Sequence, residues 1–93
     1  MKLGTFVIVR TFSAGVHCGT LASQDGKQVT LTDARRIWYW KGANTLHEIA
    51  NGGVGKGSKI SETVPSILLT EAIEIIGASE AARANLLATG WGK

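Results

Sequence analysis

Strand-like segments joined by turns of only a few residues fill the first half of this 93-residue chain. The segments are residues 5–12, 16–23, 28–32 and 34–43. Asp25-Gly26 is the signal of a tight hairpin, and Asp33 interrupts the pattern before the last segment. Neighbouring strands joined this closely pair antiparallel, because parallel strands need a long crossover. The sequence therefore predicts an antiparallel meander of four strands.

The middle and end of the chain carry signals for two short helices. Thr45 begins a Thr-x-x-Glu capping box, which predicts a helix over residues 46–51. Ser79 is a suitable N-cap for a second helix over residues 80–88. The glycine-rich residues 52–59 have no periodicity, and we expect them to form a mobile loop.

Residues 67–76 fit neither the helical nor the strand period cleanly. Their four isoleucines favour a strand, and Val64-Pro65 opens this extended region. No linker or internal repeat is visible, so residues 1–93 are expected to form one domain. We therefore predict an α+β fold, with a small antiparallel β-meander sheet or partial barrel and one or two short helices.

Residues 34–43 hold two of the three tryptophans, the only tyrosine and three of the ten basic residues. Alternation in a strand divides these side chains between two faces. One face would carry Arg36, Trp38 and Trp40. The other would carry Arg35, Ile37, Tyr39 and Lys41. Each face then offers an aromatic surface for a base beside a positive charge for a phosphate, which favours a nucleotide-like ligand. Packing in the core is the alternative for any single aromatic residue.

Charge and cysteine usage limit the possible functions. The net charge of +3 permits an anionic partner without requiring one. Cys18 is the only cysteine, and His17 points to the opposite side of a strand, so the two cannot share a metal or form a catalytic pair. The apolar run at residues 5–9 is too short for a signal sequence or a membrane span. We expect a cytoplasmic protein without a metal site or membrane association.

No catalytic motif is complete in this chain. His47-Glu48 begins like the zinc-protease signature, but Asn51 stands where the second histidine is required. Residues 55–58 resemble the end of a phosphate-binding loop, but two positions that the Walker motif requires do not match. Such a loop can still contact phosphates through its backbone amides, although flexibility also explains its glycines. The sequence favours binding over catalysis, and we expect no enzyme activity and no cofactor.

Three blocks of the sequence carry a family resemblance: residues 10–17 with residues 19–21, residues 34–43, and Val64-Pro65 with residues 69–76. Together they resemble a family of small, functionally uncharacterised proteins of tailed phages and prophages. The resemblance covers most of the chain except the glycine-rich loop and the C-terminal end. It implies a phage origin and supplies no biochemical role.

Short phage proteins without enzyme motifs are commonly virion components, regulators of host machinery or counter-defence proteins. The last class includes compact oligomers that act as sponges for cyclic nucleotide signals made by the host. A sponge needs aromatic faces for bases and donors for phosphates, preferably sealed by a second subunit. The residues expected to supply this pocket are Arg10, Ser13, His17, Arg36, Trp38, Trp40 and Lys41. Our leading hypothesis is a homo-oligomeric, non-catalytic binder of small nucleotides in the host cytoplasm.

Two other functions fit the same segment. Single-stranded nucleic-acid binding would use basic side chains along a backbone and aromatic rings on unpaired bases, and its affinity would fall steeply with salt. A structural or protein-inhibiting role would instead bury the aromatic segment in a protein interface.

Overall fold

The computed structural model describes residues 1–91, which form six strands and two helices. The strands are β1 (Phe6–Thr11), β2 (Val16–Asp25), β3 (Gln28–Tyr39), β4 (Lys59–Ile60), β5 (Val64–Leu69) and β6 (Ala72–Gly77). The helices are α1 (Leu46–Gly52) and α2 (Glu80–Ala88).

All strand pairs in the sheet are antiparallel, in the order β4-β3-β2-β1-β6, and β5 also pairs with β3. Strand β5 pairs with the first part of β3, and β4 pairs with its end. Strand β5 pairs with β3, and β6 pairs with β1. Only Thr70 and Glu71 lie between β5 and β6 in the chain. The sheet must therefore curl, although it does not close. This confirms the predicted α+β class.

Strand β3 is longer than the sequence predicts. Residues 28–39 form one continuous strand, so the prediction of separate strands on either side of Asp33 is wrong. Asp33 has a φ of 49°, and the register with β2 shifts beside it. Such a bulge absorbs an extra residue without ending the ladder. Gly19 lies opposite this bulge, where a Cβ would come within 3.0 Å of the Thr32 carbonyl oxygen.

Two hydrophobic clusters lie on opposite faces of the central strands, because alternate residues of a strand point to opposite sides. The helix-side core contains Phe6, Ile8, Cys18, Ile37, Ile49, Ala50, Val54, Ile60 and Leu86. The core on the opposite face contains Val7, Val9, Leu21, Val29, Leu31, Ala34, Leu69 and Ala72. Strand β1 contributes to both clusters, which explains its unbroken apolar run.

Both predicted helix starts are confirmed. The Thr45 hydroxyl accepts a hydrogen bond from the Glu48 amide at 3.3 Å, although the Glu48 carboxylate bonds to the amide of Asn44 rather than to that of Thr45. The Ser79 hydroxyl accepts from the Ala82 amide at 3.1 Å and donates to the Asn51 carbonyl oxygen at 2.8 Å, which ties α2 to the end of α1. The extended conformation predicted for residues 67–76 is confirmed, but the single predicted strand is wrong, because Thr70 and Glu71 divide the region into β5 and β6.

Arg35, in a buried position of β3, joins this strand to β4 and to the C-terminal end of α2. Nε, Nη1 and Nη2 of its guanidinium donate to carbonyl oxygens of β4, of the residue after β4, and of the C-terminal end of α2. The acceptors are Ile60 at 3.3 Å, Ser61 at 2.8 Å, Leu86 at 2.6 Å and Thr89 at 2.6 Å. A cation at this position also stabilises the negative end of the helix dipole.

Neither helix within residues 1–91 is long and apolar enough to cross a membrane.

Candidate functional site

The residues that the sequence predicts for one pocket lie in several places. Arg10 forms an ion pair with Glu74 at 3.5 Å and lines a cavity together with Trp40. The Ser13 hydroxyl donates to the Glu71 carboxylate. His17 and Arg36 pair directly across β2 and β3 and line a different cavity. Trp38 and Lys41 lie near the glycine-rich loop, as described below.

Trp38 and Trp40 do not share a face, so this part of the prediction is wrong. Strand β3 ends at Tyr39, and its register with β4 shifts between Ile37 and Tyr39. Alternation therefore does not extend to Trp40, which packs against the helix-side core together with Ile37. Trp38 instead remains 59% exposed.

Trp38 forms part of an exposed cluster with Tyr39 and Trp91. Its ring centroid lies 5.1 Å from that of Trp91 and 6.3 Å from that of Tyr39. The ammonium of Lys59 lies 5.6 Å from the centroid of Trp91. Trp91 is 44% exposed, so two tryptophans in mutual contact still present surface to solvent. Exposed aromatic clusters of this kind commonly mark binding surfaces.

A cavity of about 440 Å³ adjoins the Trp91 side of this cluster. Its lining residues are Val54, Gly55, Lys56, Gly57, Ser58, Lys59, Asn85, Thr89, Gly90 and Trp91. Among residues 1–91, this lining includes two lysines and no carboxylate. We name the cavity together with Trp38, Tyr39 and Lys41 the basic aromatic face.

Hydrogen bonds fix the glycine-rich loop beside Lys41. The Gly55 amide donates to the Lys41 carbonyl oxygen at 2.7 Å, and the Lys41 amide donates to the Ser58 hydroxyl at 2.9 Å. The Ser58 hydroxyl in turn donates to the Gly55 carbonyl oxygen at 2.7 Å. Gly57 occupies the turn with a φ of 93°, and a Cβ built on it would lie 3.6 Å from Lys41 Nζ. The Lys41 ammonium therefore lies beside this turn.

The amides of Lys56 and Gly57 donate to no protein acceptor within residues 1–91. They lie between two residues whose backbone is already hydrogen bonded, Gly55 and Ser58. Unpaired amides of this kind in a glycine turn can bind an anion. The glycine-rich loop thus supplies backbone amide donors to the basic aromatic face, in addition to the lysine side chains of that face.

Lys56, Lys59 and Trp91 are not among the site residues that the sequence predicts. The signals were present, since the loop is basic as well as glycine-rich, but neither spacing nor alternation shows that residue 91 reaches residue 38. The sequence also allows Trp91-Gly92-Lys93 to act as a tail or as a strap on a neighbouring molecule. Trp91 contacts Trp38 of its own chain, and residues 92–93 lie outside the described residues.

Cys18 has the features of a structural thiol. It lies in the helix-side core, while His17 lies on the other side of β2. Burial raises the pKa of the Cys18 thiol to about 11, despite the nearby charge of Arg35. The thiol therefore stays protonated and weakly nucleophilic at neutral pH. Within residues 1–91, no cluster of three potential metal ligands occurs.

His17 is 1% exposed, and its Nε2 lies 2.9 Å from the Ala14 carbonyl oxygen. A carbonyl can only accept, so Nε2 carries the proton of the neutral ring. Burial lowers the pKa of His17 from its ordinary value of 6.5, the bond to Ala14 opposes this shift, and the charge of Arg36 adds to it.

Lowering the pH should therefore destabilise the protein through His17. Because the folded pKa lies below the unfolded one, the unfolded chain binds the proton more readily. The stability that neutral His17 contributes to the fold is fully present above about pH 6.5, and it is lost as the pH falls towards the pKa of His17 in the folded protein. We expect the urea midpoint of the wild type to drop over this range. His17→Gln should flatten that drop relative to the wild type, and an equally steep drop in both proteins would contradict this expectation.

Comparison with known proteins gives a family and no activity. No curated protein matches the chain, and no solved structure matches it. Residues 4–86 match a family described as a domain of unknown function, DUF6948. The match includes Trp38 and the lysines of the basic aromatic face, while Trp91 follows it. Since it spans most of the 93 residues, the chain belongs to the DUF6948 family.

Proposed function

We propose that this chain is a non-catalytic binding protein for a nucleotide-type ligand, which it holds on the basic aromatic face. A base stacks on Trp38 and Trp91, and the phosphates lie against Lys56, Lys59 and the amides of the glycine turn. The observation that carries this proposal is the contact between two exposed tryptophans, whose ring centroids lie 5.1 Å apart. They lie at the rim of a cavity that residues 1–91 line with two lysines and no carboxylate.

The chemistry of this face matches both halves of a nucleotide. Stacking of a base on an aromatic side chain contributes about 1–3 kcal/mol, and it does not depend strongly on base identity. Lysine ammonium groups are point charges that tolerate several phosphate geometries. Lys41 lies beside the glycine turn and can add a third positive charge. The combination favours a ligand with a planar base and at least one phosphate.

Within this class we favour a small cyclic nucleotide that the protein sequesters. The cavity of about 440 Å³ is within the size range of small-ligand sites, but it is open on one side. A second copy of the chain would complete the enclosure, which is the reason for proposing a homo-oligomer. The resemblance to phage proteins makes a host defence signal the expected ligand, and counter-defence in the host cytoplasm the expected role.

Single-stranded nucleic acid is the alternative ligand, and salt dependence separates the two. Three lysines that neutralise phosphates of a single strand would give a slope of about −2 in a plot of log affinity against log salt. An enclosed small nucleotide should show a weaker dependence, because stacking and burial contribute more of its binding energy. Oligothymidylate and a cyclic dinucleotide, titrated at low and moderate salt, are suitable probes.

Removing one stacking surface should weaken this binding. We expect Trp38→Ala to reduce the affinity for the bound probe by about tenfold or more, the loss of about 1.4–3 kcal/mol. Equilibrium dialysis against cyclic di- and trinucleotides and oligothymidylate measures the effect. Phe12→Ala is the matched control, because Phe12 is an aromatic residue that is 77% exposed and lies outside the basic aromatic face.

Two results would contradict the proposal. The first is that no probe binds the wild type, and the second is that Trp38→Ala binds as tightly as Phe12→Ala. Molecular mass in solution is measured on the same samples. If Trp38→Ala dissociates an oligomer while the wild type binds no nucleotide, the cluster is a protein interface.

A further inference from the structure

A second cavity, of about 290 Å³, lies over the middle of β3, on the other side of β4 from the glycine-rich loop. Strand β5 leaves β3 at Ala34 and β4 joins it at Ile37, so the residues between the two short strands border an opening. The lining residues are His17, Ala34, Arg35, Arg36, Ser61, Glu62, Val64 and Ile67. None of them belongs to the basic aromatic face.

His17 presents an unused acceptor to this cavity. Its Nε2 donates to the Ala14 carbonyl oxygen, so Nδ1 of the neutral ring carries a lone pair. No protein group within residues 1–91 donates to Nδ1. Every fully buried side-chain nitrogen or oxygen in this part of the chain has a partner, so Nδ1 is not fully buried, and His17 is one of the residues that line the cavity. A ligand that fits this atom has to donate a hydrogen bond.

Arg36 supplies a positive charge on the same face of the sheet. It is the direct cross-strand partner of His17, and such partners lie side by side on one face. Its side chain is exposed, and the ion pair found within residues 1–91 joins Arg10 to Glu74. The guanidinium of Arg36 is therefore free to bind a carboxylate in a two-pronged arrangement. The guanidinium of the neighbouring Arg35 is not free to bind a ligand, because it already donates hydrogen bonds to backbone carbonyl oxygens.

Glu62 supplies the opposite charge from the segment between β4 and β5. Hydrogen bonds fix the start of this segment, since Ser61 donates its amide to the Arg36 carbonyl oxygen at 2.9 Å and its hydroxyl accepts from the Arg36 amide at 2.8 Å. The Ser61 hydroxyl also donates to the Glu62 carbonyl oxygen, so it has no donor left for a ligand. Within residues 1–91, the cavity lining thus offers a ligand one cation, Arg36, and one anion, Glu62.

The remaining wall is apolar, formed by Ala34, Val64 and Ile67. A complementary ligand needs an anionic group for Arg36, a cationic donor for His17 Nδ1 and Glu62, and a small apolar body. We infer that this cavity is a second binding site, independent of the proposed function, for a free α-amino acid with an apolar side chain. The carboxylate binds Arg36, the ammonium binds Nδ1 and Glu62, and the side chain contacts the apolar wall.

Leucine and two truncated analogues test this inference on the intact protein. The analogues are isoamylamine, which lacks the carboxylate, and 4-methylpentanoate, which lacks the ammonium. Calorimetry should show that leucine binds at least about tenfold more tightly than either analogue, since hydrogen bonds to charged groups contribute about 1.5–3 kcal/mol. In long-range proton–nitrogen spectra of the imidazole, leucine should shift the Nδ1 resonance of His17 more than that of Nε2.

Three substitutions separate the contacts. Arg36→Gln should weaken leucine binding about tenfold without affecting isoamylamine, and Glu62→Gln should weaken leucine binding without affecting 4-methylpentanoate. His17→Gln keeps a donor near the Ala14 carbonyl oxygen and removes the Nδ1 acceptor, so it should also weaken leucine binding. Arg10→Gln is the control, because Arg10 lines a different cavity.

The inference is overturned if leucine does not bind at millimolar concentration or if it binds no better than 4-methylpentanoate, which would indicate a plain anion site. It is also overturned if Arg36→Gln and Arg10→Gln have equal effects. Nucleotide binding at the basic aromatic face is measured separately on the same variants, and we expect it to be unchanged.

Discussion

Arg35→Met should destabilise the protein by about 3 kcal/mol or more. The buried guanidinium of Arg35 satisfies four carbonyl oxygens, two of them at the C-terminal end of α2. Methionine keeps most of the volume and removes every donor. Replacing a buried charge by an apolar side chain can be favourable when its partners go with it. Here the partners are backbone carbonyls, which remain after the substitution. Each buried carbonyl that is left without a donor lowers the free energy of unfolding further.

Urea unfolding followed by circular dichroism measures this effect. Arg36→Met is the matched control, since it removes the same charge from an exposed position next to Arg35, and its effect should stay within about 0.5 kcal/mol. Arg35→Lys should recover part of the loss, because an ammonium can reach only some of the four oxygens. A loss below about 1 kcal/mol for Arg35→Met would show that these hydrogen bonds are not a major source of stability.

Gly53→Ala should cost about 3 kcal/mol, for two reasons that add. Gly53 follows α1 with a φ of 86° and a ψ of −156°, a backbone conformation that is essentially confined to glycine. A Cβ on Gly53 would also overlap the side-chain amide of Asn85. That amide accepts from the Val54 amide at 2.7 Å and donates to the Val54 carbonyl oxygen at 3.0 Å. Moving Asn85 therefore breaks the contact that joins α2 to the glycine-rich loop.

Gly52→Ala is the matched control for this substitution. Gly52 is the last residue of α1, and a Cβ there meets no atom within 4 Å. Alanine in a helix is about 0.5–1 kcal/mol more favourable than glycine, so this variant should be slightly stabilised. Thermal unfolding of the two variants gives the comparison directly. Equal melting temperatures would contradict the account of Gly53. Because Asn85 lines the cavity of the basic aromatic face, Gly53→Ala should also weaken nucleotide binding.

Local signals in the sequence were sufficient for most of the secondary structure. The Asp25-Gly26 turn and the caps at Thr45 and Ser79 depend on neighbouring residues only, and all three lie where predicted. The sequence does not fix the role of Asp33, because an aspartate that adopts a positive φ can belong to a turn or to a bulge. Only the pairing of β3 with β2 and β5 on both sides of Asp33 distinguishes the two.

The candidate site is harder to predict from the sequence than the secondary structure, because tertiary contacts bring its residues together. Alternation correctly separated Arg35 and Ile37 from exposed Arg36 and Trp38, but it failed at Trp40, where the strand has ended. The contact of Trp38 with Trp91 joins residues more than fifty positions apart. No local pattern predicts such a contact.

The indole region of a proton–nitrogen correlation spectrum tests the central claim most directly. The chain has three tryptophans, two on the basic aromatic face and one, Trp40, packed against the helix-side core. Substitution of each tryptophan by phenylalanine assigns the three signals. On titration with cyclic di- and trinucleotides or with oligothymidylate, the account predicts that the signals of Trp38 and Trp91 shift together while that of Trp40 stays in place. Three unchanged signals, or a shift confined to Trp40, would contradict it.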